Sequence, residues 1–467
     1  MRLEPLLTAD ETRRAEEAHP GSLDELMERA GTAVAHVVLR RYPGRVAVVC
    51  GKGKNGGDGR ICARVLREAG RDVVEIDGLG DLGEPDVVVD ALLGIGLREA
   101  PREDVARMIE LINATGRPVV SIDVPSGVDA STGEVPGAAV VATETVTFGA
   151  AKVGLAISPG LHHAGRVQLA PIGLQPREHE HALVPAASLL DVPRKRIDSS
   201  KYSAGSVLVV GGSRGLTGAV MLAALAAFRA DAGYVAVAAP ESTLPVLESR
   251  LLEVVKRPLP EDTSGRLLAR SADAVLEAAE KADAVAIGPG LGRSDGTVEL
   301  VRILLEQLTV PVVVDADGLW ELEPFRREGP TILTPHTGEL AAMLGVDSAE
   351  VEARRLAAAR RAASHFGSVV LLKGRDTLIA APRQGVLVSL HGEPSLATAG
   401  TGDVLTGVVA AFLAKGMEVQ AAAAAAAVAH GIAAQLAPHQ PGLVASDLLP
   451  GLQRALAGEG LQSRALP

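Results

Sequence analysis

Three stretches early in the chain end apolar runs on oxygen-bearing side chains. Arg45 to Gly59 reads RVAVVCGKGKNGGDG, Val87 to Leu97 reads VVVDALLGIGL, and Val119 to Gly127 reads VVSIDVPSG. These run ends offer Asn55, Asp90 and Ser126, oxygen donors with no sulfur or imidazole among them, a set that suits a hard cation and not zinc. The structural alternative is that Asp90 and Asp123 cap the next helices while the glycines shape turns. The first stretch also contains a literal G-x-G-x-x-G at Gly51, Gly53 and Gly56, with Asp77 at the end of the next apolar run, the pattern of a dinucleotide-binding fingerprint. Asp58 opposes that reading, because a carboxylate near the helix start would repel a pyrophosphate.

A second group lies further on. Ala399 to Asp403 reads AGTGD and opens the apolar stretch VLTGVVAAFLA. Backbone N–H groups at such a helix start form an anion nest, and Asp403 inside it can take a proton from a hydroxyl facing a bound phosphate; a glycine turn with Asp403 as its cap is the plainer alternative. Lys201 to Val220 holds a formal G-x-S-x-G from Gly211 to Gly215, which raises a serine hydrolase. A nucleophile elbow passes straight into a helix, whereas Gly215-Leu216-Thr217-Gly218 continues the loop. The loops GPGLG (288–292), DADG (315–318), TPHTGE (334–339) and KGRDT (373–377) also follow apolar runs. No Walker G-x-x-x-x-G-K-[ST] is present, and His336 taken alone reads first as a capping or core histidine.

These loops need a scaffold that sets them side by side. Each apolar run alternates with a helical pattern, which reads as parallel sheets covered on both faces, with polar groups at the strand C-termini where open α/β sheets bind ligands. At 467 residues the chain calls for two domains, and with 47% hydrophobic but only 2% aromatic residues its core must rest on Ala, Val, Leu and Ile. Periodicity fades between Pro171 and Pro193, the expected linker; the predicted domains are 1–190 and 191–467. Asp10-Glu11-Thr12 through Ala30 reads as one polar-capped amphipathic helix. A net charge of -11 disfavours nucleic acid or an anionic membrane as partner. Cys50 and Cys62 have no paired spacing, the N-terminus lacks the apolar core of a signal peptide, and no run reaches membrane-span length; a cytoplasmic protein is expected.

Taken in order, KNGGDG, VVDALLGIGL and SIDVPSGVD resemble the YjeF N-terminal family of NAD(P)HX epimerases over about the first 170 residues. The resemblance implies a potassium ion held by Asn55, Asp90 and Ser126. It also implies substrate contacts from Lys54, Asn55, Gly56, Gly57 and Asp58 and from Gly94, Ile95, Gly96, Leu97, Arg98, Glu99 and Ala100, with Asp123 touching substrate as the acid/base. Lys54 departs from the family's usual Asn. From Arg196 onward, KYSAG, GGSRGLTGA, GPGLG, DADGL, LTPHTGE, LKG and AGTGD resemble the ribokinase-like superfamily and, within it, the ADP-dependent NAD(P)HX dehydratases. That resemblance implies substrate contacts from Ala219, Gly290, Gly292, His336 and Asp403, and nucleotide contacts from Lys373, Gly374, Arg375, Asp376 and Thr377 and from Gly400, Thr401 and Gly402. Mg²⁺ and ADP are the expected cofactors, NADHX and NADPHX the substrates, and a homo-oligomer the expected assembly. The fold class is α/β, a Rossmann-like doubly wound domain followed by a ribokinase-like one. The rivals are a small-molecule kinase fused to a nucleotide-binding domain, disfavoured by the specificity of the first motif set, and a nucleotide-sensing protein without turnover, disfavoured by the intact Asp123 and Asp403.

Overall fold

The structure, a computed structural model, describes residues 3–176 and 178–462. Met1 and Arg2 of the charged N-terminus and Arg177 of the expected linker lie outside the described residues. Among the described residues the chain divides into two compact units, one holding Glu4–Leu183 with Glu352–Ala357 and the other Val184–Val351 with residues 358–462.

The strands of the N-terminal unit are β1 (Glu4–Leu7), β2 (Val46–Cys50), β3 (Val73–Asp77), β4 (Val87–Ala91), β5 (Val119–Ile122), β6 (Glu144–Phe148), β7 (Ala151–Lys152), β8 (Arg166–Ala170) and β9 (His181–Leu183). Six of them form an all-parallel sheet in the order β3-β2-β4-β5-β6-β8. The central strand β2, VAVVC, is apolar throughout because both of its faces are covered. Val46, Val48 and Cys50 pack with the helices Leu23–Arg41 and Lys54–Glu68, whereas Ala47 and Val49 pack with Met108, Ile109 and Ile112 of the helix Glu103–Ala114 on the other face. β1 pairs parallel with β7 and antiparallel with β9.

Two local expectations are corrected. The first helical stretch is not continuous: Ala9–Glu17 and Leu23–Arg41 are separate helices, the first opened by a Thr8–Glu11 capping box and the second capped by Ser22. Pro20-Gly21 between them supplies the break, since proline removes a helical donor and glycine favours a turn. The sequence pattern places the next helix at Arg60 to Ala69, but it begins at Lys54, so the glycine-rich KNGGDG text is its first turns.

In the C-terminal unit the strands are β10 (Ser206–Val210), β11 (Tyr234–Pro240), β12 (Val255–Leu259), β13 (Ala284–Ile287), β14 (Val312–Val314), β15 (Thr331–Leu333), β16 (Val369–Leu372), β17 (Thr377–Ala380) and β18 (Leu387–Ser389). The order β12-β11-β10-β13-β14-β15-β16 is all parallel, and β17 and β18 follow antiparallel. Its core uses alanine where most proteins use larger groups. The helix Val419–Gln435 is buried almost all round, and a Cβ on Gly407 would lie 2.1 Å from the Ala223 carbonyl oxygen, so the helices Thr401–Ala414 and Thr217–Arg229 cross with their backbones nearly touching. Dense packing of small side chains thus replaces the missing aromatics. In each unit the strand order reverses at one place, between β2 and β4 and between β10 and β13, and the crevice at such a point is where open α/β sheets bind ligands.

Candidate functional site

At the first reversal the loops after β2, β4 and β5 converge on a cavity of about 880 Å³, lined among others by Lys54, Asn55, Asp58, the segment Gly94 to Ala100, Asp123 and Lys152. Gly56 and Gly57 are not in its wall. A Cβ on Gly56 would meet the Gly51 carbonyl oxygen at 1.9 Å and one on Gly57 would meet Met27 Cε at 2.2 Å, so both serve close packing. Asp90 and Ser126 lie just behind Asn55 and Leu93, fully or almost fully buried. Asn55 Nδ2 donates to the Leu93 carbonyl oxygen at 2.9 Å. Ser126 Oγ donates to Asp90 Oδ1 at 2.5 Å and accepts from the Leu93 N–H at 2.8 Å. Asp90 also accepts from Ser121 Oγ and the Ser126 N–H, both at 2.9 Å.

Burial pushes the Asp90 carboxyl up, against the pull of those hydrogen bonds, and no basic side chain among the described residues forms an ion pair with it. A buried carboxylate with no basic partner, bonded to Ser126 Oγ, which with Asn55 Nδ2 meets the Leu93 carbonyl, fits a hard monovalent ion that would neutralise it. Asp123 sits at the mouth with φ 66, a left-handed backbone costly for a residue with a Cβ. Its Oδ1 accepts from Lys152 Nζ at 2.5 Å and Thr147 Oγ1 at 2.9 Å, while Lys152 also donates to the Phe148 carbonyl at 2.9 Å. Lys152 is fully buried. Sequence reading missed it, and its only cue was a lone lysine in the otherwise apolar run after β6. Burial, reinforced by the charges of Asp123 and Glu16 and opposed by Lys54 and Lys152, pushes the Asp58 carboxyl up to about 8. Its buried Oδ1 has no hydrogen-bond partner among the described residues. A carboxyl pushed up in this way holds its proton more tightly than a free one, which weakens the negative charge that Asp58 brings to a phosphate at the helix start. Lys54 pairs with Glu16 at 2.9 Å.

In the C-terminal unit Asp403 lies in the first turn of the helix Thr401–Ala414, whose cap, Gly400, has φ 91 and contributes no side-chain bond. Among the described residues no hydrogen bond ends on the Asp403 carboxylate, so it does not act as a cap. Burial first, then the charges of Asp315 and Asp317, push it up to about 7 against the opposing Lys373. Lys373 Nζ bonds Asp315 Oδ1 at 2.9 Å and stands 3.8 Å from Glu339 Oε2. Thr406 Oγ1 donates to Asp315 Oδ2 at 2.6 Å. A Cβ on Gly402 would lie 3.4 Å from Lys373 Nζ, so the glycine lets the helix start approach the ammonium. His430, buried and driven down to about 4 by desolvation, is neutral and bonds the Thr401 carbonyl at 2.9 Å from behind.

Gly290 and Gly292, at φ 58 and φ 76, stand beside Ala219 and Ser213, and Asp317 accepts from the Gly292 N–H at 2.9 Å. His336 caps the helix Thr337–Leu344, its Nδ1 accepting from the Gly338 N–H at 3.0 Å, and its ring is 60% exposed. The capping reading is thus realised, with the Nε2 edge left outward. Lys373 to Thr377 link β16 to β17: Thr377 Oγ1 donates to the Gly374 carbonyl at 2.9 Å, Asp376 is buried, and Arg375 lies against Gly392. Ser213 is buried with its hydroxyl donated to the Leu291 carbonyl at 2.6 Å, which leaves no nucleophile for a hydrolase. The pairing of Asp315, Glu339 and Thr406 around Lys373 was not legible from the loops taken singly.

Fold and sites together define a fused pair of α/β modules, a Rossmann-like one suited to a cation and proton transfer and a ribokinase-like one suited to phosphoryl chemistry. The family model for NAD(P)H-hydrate dehydratase matches residues 207–455, and that for the YjeF-related protein N-terminus matches residues 23–81 and 75–154. A bifunctional NAD(P)H-hydrate repair enzyme of Moorella thermoacetica is 39% identical, with 91% of this chain and 90% of that protein covered. Its counterpart from Pyrobaculum aerophilum is 38% identical over 94% of this chain and 95% of that one. The ADP/ATP-dependent NAD(P)H-hydrate dehydratase of Bacillus subtilis, crystallised with ATP and Mg²⁺, superposes with a TM-score of 0.53 at 32% identity, covering 59% of this chain and 98% of that one. The chain belongs to the bifunctional NAD(P)H-hydrate repair enzymes, with an N-terminal epimerase and a C-terminal dehydratase.

Proposed function

We propose that Asp123 is the proton-transfer group of the epimerase and Asp403 the base of the dehydratase. The observation that carries the second assignment is a carboxylate at a helix start, without a hydrogen-bond partner, beside a lysine held by two further carboxylates. Asp123, fixed by Lys152 and Thr147, faces the hydroxyl-bearing carbon of the hydrated nicotinamide, and Asn55, Asp90 and Ser126 hold potassium, which supplies positive charge near the reacting end. In the dehydratase, Asp403 takes the proton of the (S)-hydrate hydroxyl. The oxygen then accepts the terminal phosphoryl group of ADP, AMP departs, and loss of phosphate restores the reduced cofactor. Lys373 to Thr377 and Gly400 to Gly402 hold the nucleotide with Mg²⁺; Ala219, Gly290, Gly292 and His336 contact the hydrate. The epimerase resupplies the epimer that the dehydratase accepts.

The domains are assigned as 1–190 and 191–467 from the fading periodicity between Pro171 and Pro193, the compartment as cytoplasm from the cysteine usage and the charged N-terminus, and the assembly as a homo-oligomer from the family resemblance. Among the described residues no helix is long and apolar enough to cross a membrane. Incubation of both hydrated epimers with the protein, Mg²⁺ and ADP or ATP, followed by absorbance of the reduced cofactor, tests the reading. Both epimers are consumed by the wild type. In Asp123→Asn the (S)-epimer alone is consumed faster than spontaneous epimer exchange allows, and undiminished exchange removes Asp123 from the mechanism.

A further inference from the structure

The cavity at the first reversal is longer than the reacting end of its substrate needs. Asp123 follows β5 and Asp77 ends β3, three strand spacings away, on the order of 14 Å. Both line the same cavity, as do Lys52, Arg60 and Gly78. The far end is built from the fingerprint glycines. Gly51 must be glycine because a Cβ would lie 1.9 Å from the Leu92 carbonyl oxygen, and Gly56 because its Cβ would strike Gly51. Gly53 has nothing within 4 Å of its Cβ position, which leaves its backbone open to the cavity. Those are the three jobs the fingerprint assigns, a tight turn, an approach for the ligand's phosphates, and close helix-to-strand packing. In register, Asp77 stands beside Cys50, at the rim where the second strand of such folds places its acidic residue.

Here that acid is not alone. Arg60, on the second turn of the helix Lys54–Glu68, bonds Asp77 Oδ1 at 2.5 Å, and its guanidinium leans on the Gly51 carbonyl oxygen at 3.3 Å. Both side chains remain open to solvent, at 42% and 71% exposure, so the pair can part when a ligand arrives. Asp77 presents acceptors to a ribose diol, and Arg60 presents a planar fork that suits a phosphate. Building on the epimerase assignment, we infer that Asp77 and Arg60 form the adenosine-ribose clasp of the epimerase, Asp77 taking the 2′-hydroxyl of NADHX and Arg60 turning to the 2′-phosphate of NADPHX. An acid alone at this position would repel the phosphate; the adjoining arginine is what lets one site serve both substrates.

The experiment measures kcat/KM for epimer exchange with NADHX and with NADPHX in the full-length protein carrying Arg60→Ala, Arg60→Lys or Asp77→Asn. Arg60→Ala lowers the NADPHX to NADHX ratio on the order of 10- to 100-fold, the worth of charge-assisted hydrogen bonds to a phosphate. Arg60→Lys restores part of that ratio, and Asp77→Asn raises it. A ratio within twofold of wild type in both Arg60→Ala and Asp77→Asn, with exchange still measurable, overturns the inference, as does an equal loss of both substrates in Arg60→Ala. Exchange that stays measurable with either substrate reports that the N-terminal unit has folded. Failure of the wild type to exchange epimers would refute the underlying epimerase assignment, an outcome distinct from an unmoved ratio.

Discussion

Replacing Asp403 by Asn should make the dehydratase both inactive and more stable. A carboxyl pushed up to about 7 from an ordinary value of 3.8 is costly to ionise in place, by about 4 kcal/mol at 1.36 kcal/mol per unit of pKa. Partial contact with solvent reduces this, and about 2 kcal/mol is the working figure. A group that binds its proton more tightly when folded contributes stability that is complete below its unfolded pKa and is lost as pH rises through the folded one. The wild type therefore sheds this contribution between about pH 4 and pH 7, and the Asn variant, which cannot ionise, does not. At pH 8 the C-terminal unit of the variant should melt about 4–8 °C higher, with the gap closing as pH falls. Loss of a positioned base lowers dehydration on the order of 10² to 10⁴-fold, and in the wild type the rate should rise with pH through about 7 as Asp403 ionises. The assay is a thermal melt across pH, without nucleotide, paired with ADP-driven dehydration on the same preparation. A variant that melts earlier at pH 8 yet turns over normally below its melting point would mean that Asp403 is a structural cap and the electrostatic argument is wrong.

Two other outcomes are expected. Exchanging potassium for a bulky organic cation should slow epimerisation and lower the melting temperature of the N-terminal unit, and Asp90→Asn should abolish the dependence of that melting temperature on potassium; melts and exchange rates that ignore the cation would remove the ion from Asn55, Asp90 and Ser126. Division of the chain between Leu183 and Val184, where the two compact units meet in sequence, should give two separately folded and active fragments, because the Bacillus subtilis dehydratase matches the second part over 98% of its own length; size-exclusion profiles and the two assays check this, and aggregation of both fragments would refute it.

The legible parts of the sequence were those where a single local rule decides. VAVVC is apolar at every position, and VVVDA at every position but Asp90, because they lie in a parallel sheet covered on both faces, and each run ends at the loop it was expected to feed. β6 was harder to see. Its Glu144 is fully buried, which is tolerable only because Arg41, Arg166 and Tyr42 reach it at 2.5, 2.8 and 2.9 Å, partners that lie 103, 22 and 102 residues away. Lys152 escaped for the same reason: the distance to Asp123 is a tertiary fact, 29 residues apart in sequence and 2.5 Å apart in space. The reading of Asp58 as a repulsive charge failed differently, since it assumed an ionised carboxylate where burial keeps the group protonated near neutrality.

That correction exposes a shared arrangement in two sites built on unrelated loops. At the first, Asp123 is bonded to the buried ammonium of Lys152 while Asp58, close enough to feel its charge, is driven up to about 8. At the second, burial would raise Asp315, but Lys373 and Thr406 outweigh it and hold that carboxyl low, while Asp403, pushed by burial and by the same Asp315, rises to about 7. The first site thus gives Lys152 to Asp123 and the second gives Lys373 to Asp315, and each leaves a second carboxyl, Asp58 or Asp403, pushed up by burial and by the neighbouring carboxylate. Carboxylates separated in this way by their surroundings can act as proton donors and acceptors where free ones would remain ionised. Packing alone does not call for this. A helix start or a strand end is stabilised by a fully paired carboxylate, and burying an unpaired one costs stability that neither fold recovers elsewhere in the same loop. The repeated acceptance of that cost, at Asp58 beside Asp123 and at Asp403 beside Asp315, is an argument for proton transfer at both sites that does not depend on the likeness to known relatives.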